Sequence, residues 1–285
     1  MKIDVVQPCG FCAGVRRAID LVKTALNKYE QIYCFGELIH NEQVTNDLLK
    51  EGLFVVKDLS AIKPHPSSAV VIRSHGATPL VYEFLKNNNI NIIDATCPIV
   101  KRIQMLSSEF SVKGYKVLIF GDKNHEEVKS LIGFSHEKAV VINSIDDVNF
   151  DIKSEKTILI SQSTKDETKL FQIRDALLKR GLLESNFYNT ICSDIKTRQR
   201  SLSSLAGRVD LVLILGSKNS ANTGNLYAIA REKCVKSFLV SRLIELPGKE
   251  IKQAEKIGVA TGASTPYNFL ISVKREVKNL FKRGD

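Results

Sequence analysis

The sequence predicts an α/β protein of three small domains related by a pseudo-threefold repeat, and three observations lead to it. Apolar, β-prone stretches alternate with amphipathic ones along the chain, the pattern of parallel sheets covered by helices. Three cysteines, Cys12, Cys97 and Cys192, each open a block in which a glycine follows 24 residues later, at Gly36, Gly121 and Gly216. Polar residues then recur in register, His40, His125 and Ser220 first, with Glu42, Glu127 and Asn222 two positions further on. One matching glycine means little at a usage of about 7%. Agreement at a cysteine, a glycine and two polar positions together is hard to obtain by chance.

Each element has its own signal. Strands precede the cysteines at residues 2–6, 90–93 and 187–191, and amphipathic helices follow them, as the spacing of Val15, Ile19, Val22 and Leu26 shows. Each cysteine therefore lies where a strand end meets a helix N-terminus, a place that favours a thiolate. Second strands at 32–35, 117–120 and 211–215 lead to the three glycines, and the polar pairs fall near the start of the next helix. Third strands are expected at 53–56, 139–142 and 237–240. Fourth strands end in the polar clusters Arg73-Ser74-His75, Ser161-Gln162-Ser163 and Gly262-Ala263-Ser264, each followed by a helix, for example over 166–179. The expected domains are 1–97, 98–191 and 192–285. Ligands of such sheets bind beyond the carboxyl ends of the strands, where all the singled-out residues fall, so the three units should pack around a central site.

Composition narrows the class. The 285 residues are 44% hydrophobic, ample for buried cores. No apolar run approaches the roughly 18 residues needed to span a membrane, and the N-terminus shows no signal segment. A cytoplasmic location is expected, where clustered cysteines bind metal or react rather than form structural disulfides. The net charge of +10 suits an anionic substrate or an acidic electron donor, and equally a lysine-rich surface. No basic block with interleaved aromatics points to nucleic acid, and neither a Walker loop nor a dinucleotide fingerprint is present.

Three converging thiolates would select zinc, copper(I) or an iron–sulfur cluster. A closed zinc site wants a fourth protein ligand, whereas a cubane cluster on three cysteines keeps one iron open for substrate. Cys34 and Cys234 lie in or beside apolar strands and read as core residues. Cys9 forms a C-x-x-C with Cys12 but has no counterpart in the other blocks. Beside the thiols, His40, His75 and His125, with Ser163, Ser220, Asn222 and Ser264, supply the donors a phosphate or diphosphate group needs near helix N-termini. Glu127 is the carboxylate suited to acid–base work, since a closed and partly dry pocket raises its pKa. His65 and His136 fall in linkers.

Gly10-Phe11-Cys12-Ala13-Gly14-Val15, Asp94-Ala95-Thr96-Cys97-Pro98, Gly216-Ser217-Lys218-Asn219-Ser220 and Gly262-Ala263-Ser264 together resemble the 4-hydroxy-3-methylbut-2-enyl diphosphate reductase family over nearly the whole chain. The resemblance implies three α/β domains in a trefoil around a central iron–sulfur cluster. It implies reductive dehydroxylation of (E)-4-hydroxy-3-methylbut-2-enyl diphosphate to isopentenyl and dimethylallyl diphosphates, the last step of the non-mevalonate isoprenoid pathway. By the same resemblance Cys12, Cys97 and Cys192 would hold one [4Fe–4S] cluster per chain with one open iron. Glu127 would give the proton that makes water the leaving group, with Ser163 beside the substrate hydroxyl. His40, His75, Ser220, Asn222 and Ser264 would bind the diphosphate, and His125 would line the pocket. Electrons would come from an external donor such as ferredoxin or flavodoxin.

The chain departs from the family pattern at four places. Ser163 stands for a common threonine, Ser220-Ala221 for a pair of serines, and His125-Glu126-Glu127 for His-Pro-Glu, which could loosen the loop that carries the acid. Cys9 occupies a position that is often basic or small. Two other classes share parts of the pattern. Quinolinate synthase also joins three α/β repeats around a three-cysteine cluster, and a non-catalytic metal-site sensor of a phosphorylated metabolite would leave Glu127 without a role.

Overall fold

The computed structural model describes residues 1–149, 156–234 and 236–282. In chain order the first block comprises β1 (Lys2–Val5), α1 (Ala13–Leu26), β2 (Gln31–Phe35), α2 (Glu42–Lys50), β3 (Leu53–Val56), β4 (Ser68–Ile72), α3 (Pro79–Asn87) and β5 (Asn91–Asp94). The second has α4 (Pro98–Val112), β6 (Lys116–Phe120), α5 (Glu126–Phe134), β7 (Val140–Ile142), β8 (Thr157–Ser161) and α6 (Glu167–Leu178). The third has α7 (Ser193–Ala206), β9 (Leu211–Leu215), α8 (Ala221–Lys233), β10 (Ser237–Val240), α9 (Gly248–Gln253), β11 (Lys256–Thr261) and α10 (Tyr267–Lys282). No helix among the described residues is long and apolar enough to cross a membrane.

The chain divides into two compact units. One comprises residues 1–15, 40–44 and 193–285, and contains a parallel sheet in the order β1-β11-β9-β10. Its central strand β9, Leu-Val-Leu-Ile-Leu, is buried throughout because both faces are covered. Leu211, Leu213 and Leu215 face one way, packing with Ile251 of α9 and Leu270, Val273 and Val277 of α10. Val212 and Ile214 face the other way, against Leu202 and Ala206 of α7 and Leu226 and Ala230 of α8. The alternation is the two-residue period of a strand, and it leaves the strand ends as the place for polar chemistry.

The other unit, residues 16–39 and 45–192, holds two parallel sheets, ordered β3-β2-β4-β5 and β7-β6-β8. Val70 and Ile72 of β4 pack with Val81 and Leu85 of α3. Val117 and Ile119 of β6 pack with Ile103 of α4 and Val128 and Leu131 of α5. In all three sheets the second and fourth strands end in register, with Phe35 opposite Ile72, Phe120 opposite Ser161 and Leu215 opposite Thr261. The repeated glycine follows each time and donates its N–H to the end of the third strand, Gly36 to Val56, Gly121 to Ile142 and Gly216 to Val240. A Cβ there would meet Arg73 at Gly36, Val128 at Gly121 and Thr223 at Gly216, all closer than 3.0 Å. Close approach explains the glycine at 121 and 216, whereas at Gly36 only the flexible end of Arg73 is near and the left-handed φ of 75° is what requires it.

Two expectations change. The first domain was expected to start at residue 1, but β1 pairs with β11 in the sheet of the third block. The strands before Cys12 and Cys97 each complete the sheet of the preceding block, and for Cys12 the preceding block is the last one in the chain. The strand expected at 187–191 shrinks to a single bridge between Phe187 and Leu159. There the Thr190 hydroxyl replaces the ladder, accepting from Ser161 N–H at 2.7 Å and donating to Ser161 C=O at 2.6 Å. A side chain that satisfies the backbone groups of its neighbour removes the need for pairing.

Candidate active site

The three cysteines share one local geometry. Each lies just before the first residue of α1, α4 or α7, and each donates its backbone N–H over 3.0 Å to a carbonyl just past the fourth strand of its sheet. Cys12 bonds Ala263, Cys97 bonds Ser74 and Cys192 bonds Ser163. Cys12 Sγ also accepts from the Val15 N–H at 3.4 Å, so the helix N-terminus faces that sulfur. These three thiols are half-buried, whereas Cys34 and Cys234 are buried. Burial pushes the Cys34 thiol up to about 12, and Cys9 packs against the apolar cluster beside Ile3 and Val5.

Within the unit that holds β2 to β8, Glu127 is 1% exposed. Its Oε1 accepts from the Ser163 N–H at 2.6 Å and its Oε2 from the Ser163 hydroxyl at 2.8 Å. Burial raises its pKa to about 7, against the opposing pull of those two hydrogen bonds. An acid with that value near neutral pH can both give and take a proton. His125 caps α5, its Nδ1 accepting from the Glu127 N–H at 3.1 Å, so a neutral ring carries its proton on Nε2. The His125 and His75 rings meet edge to face, their centroids 5.4 Å apart. Ser163 thus touches the acid through its hydroxyl and amide while its carbonyl holds Cys192.

Within the unit that holds β9 to β11, Ser220 caps α8 through its Oγ, which accepts from Thr223 N–H at 3.4 Å and keeps its own hydrogen for another partner. Asn222 is 3% exposed, and among the described residues neither its Oδ1 nor its Nδ2 has a hydrogen-bond partner. A buried amide left this way costs about 1–3 kcal/mol, a cost a polar ligand would remove. Ser264 donates through Oγ to the His40 carbonyl at 3.2 Å.

Two residues escaped the sequence reading. Asn41, 8% exposed, caps α2 through Oδ1 and donates to the Ser264 carbonyl at 2.8 Å. Its signal was an Asn directly before a helical stretch. Arg198, 1% exposed, lies between Ile195 and Leu202 on the apolar face of α7, and a charge on such a face was the clue.

Parallel α/β sheets that place three thiols at strand-to-helix joins, with a buried, hydroxyl-gripped carboxylic acid beside one of them, define a site-bearing α/β enzyme. A family model described as LytB protein matches residues 3–278, and the chain belongs to that family. It is 36% identical over 282 residues to the 4-hydroxy-3-methylbut-2-enyl diphosphate reductase of Caldanaerobacter subterraneus subsp. tengcongensis, covering 98% of each chain. The Helicobacter pylori strain P12 enzyme of the same name is 36% identical over 281 residues, 98% of this chain and all of that one. Among solved structures, the E-1-hydroxy-2-methyl-but-2-enyl-4-diphosphate reductase from Plasmodium falciparum superposes with a TM-score of 0.86 at 26% identity, covering 94% of this chain and 85% of that one. A second solved structure, described as the terminal enzyme of the non-mevalonate pathway, gives 0.70 at 30% identity over 98% of this chain and 100% of that one.

Proposed function

We propose that this protein is a 4-hydroxy-3-methylbut-2-enyl diphosphate reductase. It removes the allylic hydroxyl with two electrons and two protons, releasing water and forming isopentenyl and dimethylallyl diphosphates. The full-length match to reductases of that name supports this reading over a quinolinate-synthase-like enzyme or a metabolite sensor. On the chain itself, the observation that carries it is the buried Glu127 held by the amide and hydroxyl of Ser163, where burial raises its pKa.

Cys12, Cys97 and Cys192 would hold a [4Fe–4S] cluster, one per chain with one iron open. The donor set fits, because all three sulfurs sit at helix N-termini and none is buried in an apolar core. When bound, the cluster supplies reducing electrons and a Lewis-acidic position. Glu127 is too enclosed to meet bulk water, so its proton would reach the substrate hydroxyl by way of Ser163 Oγ, 2.8 Å from Oε2. With Glu127 in its acid form the bond reverses, Oε2–H donating to Ser163 Oγ while the Ser163 hydrogen turns to the substrate. Ser163 takes the Glu127 proton as it gives up its own, and the leaving group departs as water. The Ser163 N–H on Oε1 keeps the carboxyl from turning away.

His40, His75, Ser220, Asn222 and Ser264 would bind the diphosphate, and His125 would line the pocket through Nε2. The unpartnered Asn222 amide and the spare hydrogen of Ser220 support that assignment. Since the diphosphate does not react, its binding energy would serve to orient the allylic carbon. An external donor such as ferredoxin or flavodoxin would supply electrons, and the enzyme would work in the cytoplasm. The test is anaerobic turnover of the hydroxymethylbutenyl diphosphate by cluster-reconstituted protein with a strong artificial reductant. Both C5 diphosphates are expected as products, and fully loaded protein without turnover would refute the assignment.

A further inference from the structure

Arg198 is the largest fully buried side chain among the described residues. A guanidinium in that position is tolerated only when its N–H groups find acceptors. Nε donates to Asp194 Oδ2 at 2.7 Å, Nη1 to the Thr261 carbonyl at 3.0 Å and hydroxyl at 3.1 Å, and Nη2 to the Gly10 carbonyl at 2.9 Å. Gly10 returns its N–H to Thr261 Oγ1 at 2.9 Å. Both backbone polar groups of Gly10 are therefore held, two residues before Cys12, whose own N–H is bonded to Ala263. The segment from β1 to α1 has no regular structure of its own, and these bonds fix its course.

The contacts are selective. Asp194 stands on the first turn of α7, two residues after Cys192, and Thr261 ends β11. One planar cation thus joins the start of the helix behind one cysteine, the end of a central strand and the arm that carries another cysteine. Lysine could not do the same, since an ammonium lacks the fork that reaches three directions at once. Any buried arginine needs acceptors for its N–H groups, but here three of the four acceptors belong to Gly10 and Thr261, which define the Cys12 arm.

We propose that Arg198 is a positioning residue for Cys12, fixing the arm that presents this sulfur to the cluster. The proposal rests on Cys12 being a cluster ligand, and ligand atoms must be held to about 0.5 Å for a metal site to form cleanly. Losing the fork frees Gly10 and lets the arm open locally while the sheets stay folded.

The experiment uses the full chain. In cluster-free protein kept reduced, alkylation by iodoacetamide is followed at each cysteine by mass spectrometry for wild type, Arg198→Gln, Arg198→Lys and Asp194→Asn. Arg198→Gln is expected to speed Cys12 about tenfold, equivalent to about 1.4 kcal/mol of local opening, and to change Cys97 less than about twofold. Arg198→Lys should recover part of the protection, and Asp194→Asn, which keeps the guanidinium, should fall between wild type and Arg198→Gln. An equal rise at Cys12 and Cys97, or none at Cys12, would overturn the role. If Arg198→Gln does not fold, Asp194→Asn decides by the same criterion. Reconstituted proteins are then exposed to an iron chelator, and the variant cluster is expected to bleach faster than wild type. Wild-type protein that takes up no cluster would overturn the ligand assignment and this role with it. Wild type that loads, with Arg198→Gln bleaching at the same rate, would overturn the role alone.

Discussion

The loops into α2 and α5 each carry a histidine followed two residues later by a glutamate, yet Glu127 is 1% exposed and Glu42 lies open to solvent. The caps account for the difference. His125 caps α5 itself, through Nδ1 to the Glu127 N–H, and the helix begins at Glu126. In the other loop Asn41 takes the capping role, with Oδ1 accepting from the Val44 N–H at 3.1 Å, and α2 begins at Glu42. The glutamate is thus the second helical residue in α5 and the first in α2, and one residue is about 100° of rotation. Glu42 is left to interact with the helix dipole at the surface, while Glu127 turns inward to Ser163. Equal spacing in a repeat aligns residues, but the cap decides which of them faces the chemistry.

The sharpest way to break this comparison is to remove each carboxylate in turn. Glu127→Gln is expected to lower anaerobic turnover by about 10²–10³-fold, the usual reach of a lost general acid. Glu42→Gln should stay within about twofold of wild type under the same conditions. Comparable losses at both positions would mean that the difference in burial has no catalytic meaning.

A stability measurement isolates the burial of Glu127 from its chemistry. Its pKa in the folded protein is about 7, against an ordinary value of 4.5. Between those two values the unfolded chain has lost the proton that the folded protein keeps. Stability therefore falls as pH rises from about 4.5 to about 7, by up to about 3 kcal/mol, and this loss is absent below the lower value. Melting temperatures of cluster-free protein at pH 5 and pH 8 should show that fall in wild type and Glu42→Gln, and should show less of it in Glu127→Gln. Parallel profiles for all three would place the burial penalty elsewhere. In turnover, activity should drop as pH rises through about 7, because the proton donor empties.

Much of this was legible beforehand, for identifiable reasons. The three cysteines, the three glycines and most strands follow from periodicity and register, which survive in any single sequence. The exchange of β1 into the last sheet was hidden, since a parallel strand carries no mark of its partner. The failed strand at 187–191 depends on one hydroxyl, that of Thr190, doing what a ladder would do. The cap of α2 was ambiguous because both His40 and Asn41 can accept from a helix N–H. The fourth-strand clusters also register differently from their appearance in the sequence. The bonds from the cysteine N–H groups align Ser74, Ser163 and Ala263, so His75 and Ser264 are equivalent to Thr164 rather than to Ser163.

That alignment carries the comparison to the third repeat. Asn222 occupies the register position of Glu127 and is also buried, whereas the position equivalent to Ser163 is Ala263, which brings no side-chain hydroxyl. Among the described residues neither atom of the Asn222 amide has a partner, a need that a polar ligand would meet. Asn222→Ala is expected to raise the KM for substrate about tenfold with little change in kcat, and to leave the melting temperature of the cluster-free protein unchanged or higher, since a buried unpaired amide is removed. Ala263→Ser, which restores the hydroxyl of the equivalent Ser163, should move the same way by a smaller factor. A drop in melting temperature for Asn222→Ala would show that its amide is already satisfied.

The smallest expected effect concerns Glu126, between the cap and the acid. In place of the proline common in the family, this chain puts a glutamate at the first position of α5. There Oε2 accepts from Arg73 Nη2 at 2.5 Å and Oε1 from Lys129 Nζ at 3.0 Å. Proline at that position would supply a preset backbone angle, and His125 already has the extended φ of −72° and ψ of 137° that a following proline requires. Ion pairs here and a ring there are two ways of holding one turn, so the loop is not looser for lacking proline. The partly exposed pairs contribute less than about 1 kcal/mol each, close to what a compatible proline adds by restricting the unfolded chain. Glu126→Pro should therefore keep turnover within about twofold, whereas Glu126→Ala, which loses both devices, should melt lower than either. If the proline variant proved worse than the alanine variant, the ring would not suit this turn, and ion pairs and proline would not be two ways of holding it.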